Sequence, residues 1–227
     1  METLLVALLP YIIGSALLPL QITINILLLK SPRQGLLKAS AYLAGMTTVR
    51  LLQGWIFGLI LLNSSAASSE PGGKSPIVLT LLLVLGILLL ITAYREWRHE
   101  GDPDAPPPKW LTMIETITPL KAFGMGMGLV TLGVKLWVFT LSAISVIGEK
   151  QLGQPSSTIA YLLFVLLAQS LLLLPILFKI IFPSRSDILL GQISLWLNKN
   201  NDTIILVVSL IFGLLFTYQG ATGLLGF

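Results

Sequence analysis

Six long apolar blocks, punctuated by short polar connections, constrain this chain more than any other feature. They run roughly over Leu4–Leu29, Leu36–Leu62, Ile77–Tyr94, Leu120–Ile147, Thr158–Phe182 and Thr203–Leu225. Hydrocarbon offers a backbone amide no partner, so each block must satisfy its own hydrogen bonds as a helix. A hydrocarbon core is about 30 Å thick and a helix rises ~1.5 Å per residue, so every block is long enough to cross, some with tilt. Composition agrees, because charged residues make up 11% of the chain where a soluble domain needs about a quarter. The expected class is an all-α membrane protein of six transmembrane helices. The first block is expected to be a span and not a cleavable signal, since Glu2 is its one early charge and its apolar run is long. Cysteine is absent, which excludes disulfides, thiolate metal sites and thiol redox chemistry.

The positive charges set an orientation. The first connection carries Lys30, Arg33 and Lys38; the third carries Arg95, Arg98 and Lys109, with Lys121 just beyond; the fifth carries Arg185 and Lys199, with Lys179 at its edge. The second and fourth have Lys74 and Lys150 alone. The positive-inside rule therefore places the odd connections in the cytoplasm and both termini outside. This divides the chain into a first three-helix repeat (1–94), a cytoplasmic linker with an interfacial helix (95–118) and a second three-helix repeat (119–227) that crosses in the opposite sense. The run from Asp102 to Pro108 is a stiff, proline-rich part of that linker. Trp97 and Trp110 stand where interfacial anchors belong. Trp110, Met113, Ile114 and Ile117 share one helical face, as do Leu189, Ile193, Trp196 and Leu197 after the cap candidates Ser186 and Asp187. Each pattern fits an interfacial helix or a short helix packed on the bundle.

The halves also align. Gly14, Pro19 and Gln21 in the first block have the spacing of Gly128, Gly133 and Lys135 in the fourth; Tyr42 and Arg50 have that of Tyr161 and Gln169. With opposite orientations this predicts a 3+3 inverted repeat, in which interrupted helices flank a site near the midplane. Pro175 is expected to kink the fifth span, and the run Gly124–Gly128 to offer a small-residue surface for close packing.

Arg50 and Lys135 lie deep in their blocks, and no Asp or Glu lies deep in any block. A cation at that depth is costly and is a functional candidate by default. Gln21, Asn25, Gln53 and Gln169 can hydrogen-bond nearby but cannot neutralise charge. The functional reading is a cavity between the halves that receives an anionic group, with Pro19 and Gly133 as the interruptions that shape it. The alternative is snorkelling, or solvation of the cations by carbonyls and water. A neutral buried Lys135 would instead carry protons. The lone His99 reads as a solvated loop residue and not a metal site, and no nucleophile–base pair or P-loop is present. No enzyme, cofactor, metal or nucleic-acid partner is expected.

Several motifs resemble one known family. Tyr94-Arg95-Glu96-Trp97-Arg98, the proline-rich linker, and Pro108-Lys109-Trp110-Leu111 look like the GAP family of bacterial membrane proteins, also called Sap-like or sulfolipid-addressing proteins, within the LysE superfamily. The likeness continues through Thr118-Pro119-Leu120-Lys121-Ala122-Phe123-Gly124 and Trp196-Leu197-Asn198-Lys199-Asn200-Asn201. In the first half, Ala16-Leu17-Leu18-Pro19-Leu20 followed by Lys30-Ser31-Pro32-Arg33 fits the same pattern, so the resemblance covers nearly the whole chain. It implies a six-helix LysE-type fold in the bacterial inner membrane and the carriage of glycolipids or other lipid-like products. Family members often show Asn-Pro-Lys in the fourth span, where this chain has Gly133-Val134-Lys135. The lysine is kept and the proline is not, so the resemblance carries Lys135 over without a sharply broken helix.

The expected function is export of an amphipathic, anionic lipid or glycolipid, with Arg50 and Lys135 holding the head and Gln21 and Asn25 orienting it. Two alternatives stand: export of a small anionic or zwitterionic solute, and a non-transporting scaffold for lipid synthesis or secretion. The bilayer and the substrate are the expected partners, and a homodimer is an assembly the chain allows.

Overall fold

The computed structural model describes residues 2–65, 76–98 and 117–225, and among these every regular element is a helix. The linker positions Trp110, Met113 and Ile114 lie outside the described residues. The helices are α1 (Glu2–Ala16), α2 (Pro19–Lys30), α3 (Gly35–Ser65), α4 (Pro76–Arg98), α5 (Pro119–Leu132), α6 (Val134–Glu149), α7 (Ser156–Ala168), α8 (Ser170–Ile181) and α9 (Pro183–Leu225).

One stretch, Lys199–Leu225 within α9, is long and apolar enough to cross a membrane as a single helix. Three further candidates are bent pairs, α1 with α2 at 58°, α5 with α6 at 70°, and α7 with α8 at 64°. By length and composition the described residues thus give one span, or up to four if each bent pair is one span. Helices α3 and α4 cover the second and third apolar blocks.

Each bend has a local cause. Proline at the start of α2 has no amide hydrogen and its ring excludes the preceding turn. Leu18 before it is extended (φ −85°, ψ 106°), as a pre-proline residue prefers. At the second bend Gly133 closes α5 by donating its N–H to Leu129 O at 2.9 Å, and its own carbonyl accepts from Leu136 N at 2.8 Å to open α6. A side chain there would press within 2.6 Å of Leu129 O, so glycine alone breaks this helix sharply. The break that the missing proline argued against is therefore present. The third bend falls at Gln169, whose N–H is shared between Val165 O and Leu166 O (3.2 and 3.3 Å) and whose carbonyl starts α8. Pro175 lies inside α8, so the interruption expected at that proline occurs upstream of it.

Packing is closest where glycine lets backbones touch. Along α4 and α9, Leu79 meets Gly223, Leu83 meets Gly220, Gly86 meets Thr217 and Leu90 meets Gly213. The rising numbers of one helix against the falling numbers of the other make the pair antiparallel. Between α3 and α5, a Cβ on Gly45 would collide with Phe123 O and one on Gly126 with Tyr42 O. The expected glycine surface thus narrows to Gly126, since Gly124 and Gly128 face open space.

Two apolar cores result. One joins α1, α4, α6, α7 and α9 through Leu8, Tyr11, Leu85, Phe139, Phe164 and Phe216. In it Tyr11 stacks on Phe216 at 5.7 Å and Phe139 meets both Phe212 and Phe216 edge-on, geometries that aromatic quadrupoles favour. The other joins α2, α3, α5, α6, α8 and α9 through Ile26, Tyr42, Met46, Val130, Leu136 and Leu172.

The segment 183–200 corrects two expectations. It is not a separate interfacial helix but the first part of the continuous α9. Its start is Pro183 rather than a cap at Ser186 or Asp187, and the Ser186 hydroxyl instead donates to Pro183 O at 2.7 Å. Its buried face is Ser186, Leu190, Ser194 and Leu197, while Leu189 and Trp196 are exposed. That face follows the spacing of four, four and three residues of a helix packed on the bundle.

Candidate functional site

The bends at Pro19 and Gly133 converge on one cavity of about 460 Å³. Leu17, Leu18, Pro19, Leu20 and Gln21 line it from the α1–α2 break; Leu129, Gly133, Leu136 and Phe139 line it from the α5–α6 break. Leu89 of α4 and Ile205, Val208, Ser209 and Phe212 of α9 close it. The volume falls in the range of small-molecule sites, about 300–1,000 Å³. Gly14, one turn before the break, contributes by leaving room for the Phe139 ring, which a Cβ would strike.

Helices α1 and α5 end and α2 and α6 start at these two breaks, so carbonyl ends and N–H ends meet beside the cavity. Gln21 is 3% exposed and its amide nitrogen has no hydrogen-bond partner. A buried donor without a partner is costly unless a ligand or water meets it. Apart from Gln21 and Ser209 the lining side chains are apolar. The arrangement suits a molecule with oxygen acceptors at one end and hydrocarbon at the other.

A second group of buried polar residues stands apart from the cavity. The Arg50 guanidinium is fully buried and donates from Nη2 to Ser15 Oγ at 2.6 Å, while Nε and Nη1 have no partner. Its backbone carbonyl accepts from the Tyr161 hydroxyl at 2.5 Å, a contact made possible because Gly54 leaves space for the Tyr161 ring. One turn along α3, both amide atoms of Gln53 are buried without partners. One turn back, the Thr47 hydroxyl lies 2.8 Å from Gln169 Oε1 at the α7–α8 bend. Asn25 Nδ2 donates to Leu172 O at 2.9 Å, tying α2 to the start of α8.

The predicted site residues therefore divide. Pro19, Gln21 and Gly133 line the cavity; Arg50, Gln53, Gln169 and Asn25 do not. Lys135 is on the first turn of α6, two residues after the cavity-lining Gly133, and its side chain lies outside the described residues. Sequence reasoning missed Ser15, Ser209 and Phe139. Ser15 lies one turn before Pro19, a spacing that could have pointed to it, whereas nothing in the sequence marks Ser209.

An all-helical chain with a span-length apolar helix and a cavity at two helix breaks belongs to the class of helical membrane proteins. More narrowly, the chain belongs to the Sap family: a family model described as Sap, sulfolipid-1-addressing protein, matches residues 8–222. No curated protein and no solved structure matched it.

Proposed function

We propose that this protein exports an amphipathic, anionic lipid or glycolipid across the bacterial inner membrane. The observation that carries the reading is the cavity itself, which lies at two helix breaks and whose lining is apolar apart from Gln21 and Ser209. The family's description, which names a sulfolipid, points toward lipid-like cargo. In this reading Lys135, on the first turn of α6, supplies the full positive charge beside the head. The acyl part lies against Leu89, Val208 and Phe212.

The proposed frame is a LysE-type 3+3 inverted repeat of six spans with both termini outside. Three features support it: the breaks fall at the aligned positions Pro19 and Gly133, α4 runs antiparallel to α9, and α1 packs on both α6 and α7. Topology is tested by cysteines introduced into this cysteine-free chain. Gln154→Cys should react with an impermeant thiol reagent in intact cells and Ser184→Cys should not; the reverse pattern would invert the frame.

Function is tested in proteoliposomes by the transfer of fluorescent phosphatidylglycerol between leaflets. The wild type should accelerate transfer, and more for this anionic lipid than for phosphatidylcholine. Acceleration that is missing, or that survives filling the cavity with Val208→Trp, would sink the proposal. A carrier of small anionic or zwitterionic solutes, or a scaffold, has no use for an apolar wall at the helix breaks.

A further inference from the structure

The cluster around Arg50 asks for a partner of its own. No acidic residue stands between Glu2 and Glu70 in the sequence, and the electrostatic neighbours of the guanidinium are the phenols of Tyr42 and Tyr161. Tyr161 spends its hydroxyl on the Arg50 carbonyl, whereas the Tyr42 hydroxyl has no partner. A fully enclosed cation with one hydrogen bond to a serine is costly unless something of opposite charge meets it. Donors predominate among the unpaired atoms nearby in the fold: Arg50 Nε and Nη1, Gln53 Nε2 and Gln169 Nε2 are buried and unpaired, as is the acceptor Gln53 Oε1. Residues three or four apart on a helix share a face, so Tyr42, Met46, Arg50 and Gln53 form one stripe of α3. Gln169 is joined to that stripe through Thr47.

We propose that Arg50, Gln53, Tyr42 and Gln169 form a binding site for a small oxyanion, separate from the cavity and closed over in this state. A guanidinium and amide N–H groups match the spread oxygens of a phosphate, sulfate or carboxylate better than they match a neutral ligand. The atoms are sealed from solvent, so the anion enters when the bundle opens. Gln169 marks where: it is both a donor of the site and the bend between α7 and α8, where the helical hydrogen-bond ladder is already interrupted. This inference does not rest on the cavity carrying a lipid.

The test is the melting temperature of the full chain in nanodiscs at fixed ionic strength. One arm adds inorganic phosphate to phosphatidylcholine nanodiscs, and the other replaces part of that lipid with phosphatidylglycerol. A saturable rise with free phosphate identifies a soluble oxyanion, and a rise with phosphatidylglycerol alone identifies the oxyanion of a lipid head. Measured with the cavity filled by Val208→Trp, the rise in either arm should vanish when Arg50→Gln is added and persist, reduced, when Arg50→Lys is added. Gln53→Leu keeps the cation and should weaken the response about tenfold to a hundredfold, the loss of one hydrogen bond to a charged group, and it decides the matter if Arg50→Gln does not fold. Val208→Trp alone, which fills the cavity, should leave the response to inorganic phosphate intact. No saturable rise in either arm with the cavity filled, an equal rise there when Arg50→Gln is added, or loss of the phosphate response in Val208→Trp alone would overturn the proposal.

Discussion

The cavity and the Arg50 cluster both lie beside interrupted helices, yet they treat their polar groups in opposite ways. At the Pro19 and Gly133 breaks a cavity of about 460 Å³ has a lining that is apolar apart from Gln21 and Ser209. Along α3 and at the Gln169 bend a guanidinium, two glutamines and a tyrosine hydroxyl are buried with several atoms unpaired, and none of them lines that cavity. The difference teaches that a broken helix is not in itself a substrate site. What matters is whether the break opens onto hydrocarbon-lined space, which suits a lipid tail, or onto packed polar side chains, which suit a small charged ligand.

The contrast can be broken most strongly through the backbone contact that places α3. Gly126→Ala pushes a Cβ into Tyr42 O and should lower stability by about 1–3 kcal/mol, as overpacking does. Gly124→Ala faces open space and should instead hold or raise stability, by up to about 0.5–1 kcal/mol, because alanine favours helix over glycine. Melting temperatures of the two variants check the pair; equal effects would mean that α3 and α5 do not meet as described.

A smaller effect sharpens the cavity side. Gln21→Leu removes the unpaired donor and should weaken lipid binding by about 0.5–1.5 kcal/mol, roughly twofold to tenfold, without lowering the melting temperature. Unchanged binding of phosphatidylglycerol by this variant would remove Gln21 from the site.

How much of this was legible in the sequence follows the same division. The apolar blocks gave the helices, and the aligned spacing of Pro19 and Gly133 pointed to the two breaks that line the cavity, because proline and glycine act on the backbone locally. The Gln169 bend was not legible, since glutamine carries no breaker signal and Pro175 drew attention downstream. Depth was legible for Arg50, but direction was not. Hydrophobic blocks tell how far a residue is from a helix end, not which neighbour it faces, so Arg50 was joined in expectation to a cavity that it does not line. The continuity of α9 was hidden for a related reason: polar residues Asn198 to Asp202 read as a connection, yet Asn and Asp are tolerated in a helix where side chains can reach water.

The central claim, that the cavity at the two helix breaks holds an amphipathic anionic molecule, is tested most directly by native mass spectrometry of the protein released from mild detergent. The account predicts a bound adduct with an anionic head and acyl chains on the wild type, lost or at least about tenfold depleted in the cavity-filled Val208→Trp variant. A bare wild-type protein, or the same adduct at the same level on Val208→Trp, would contradict it.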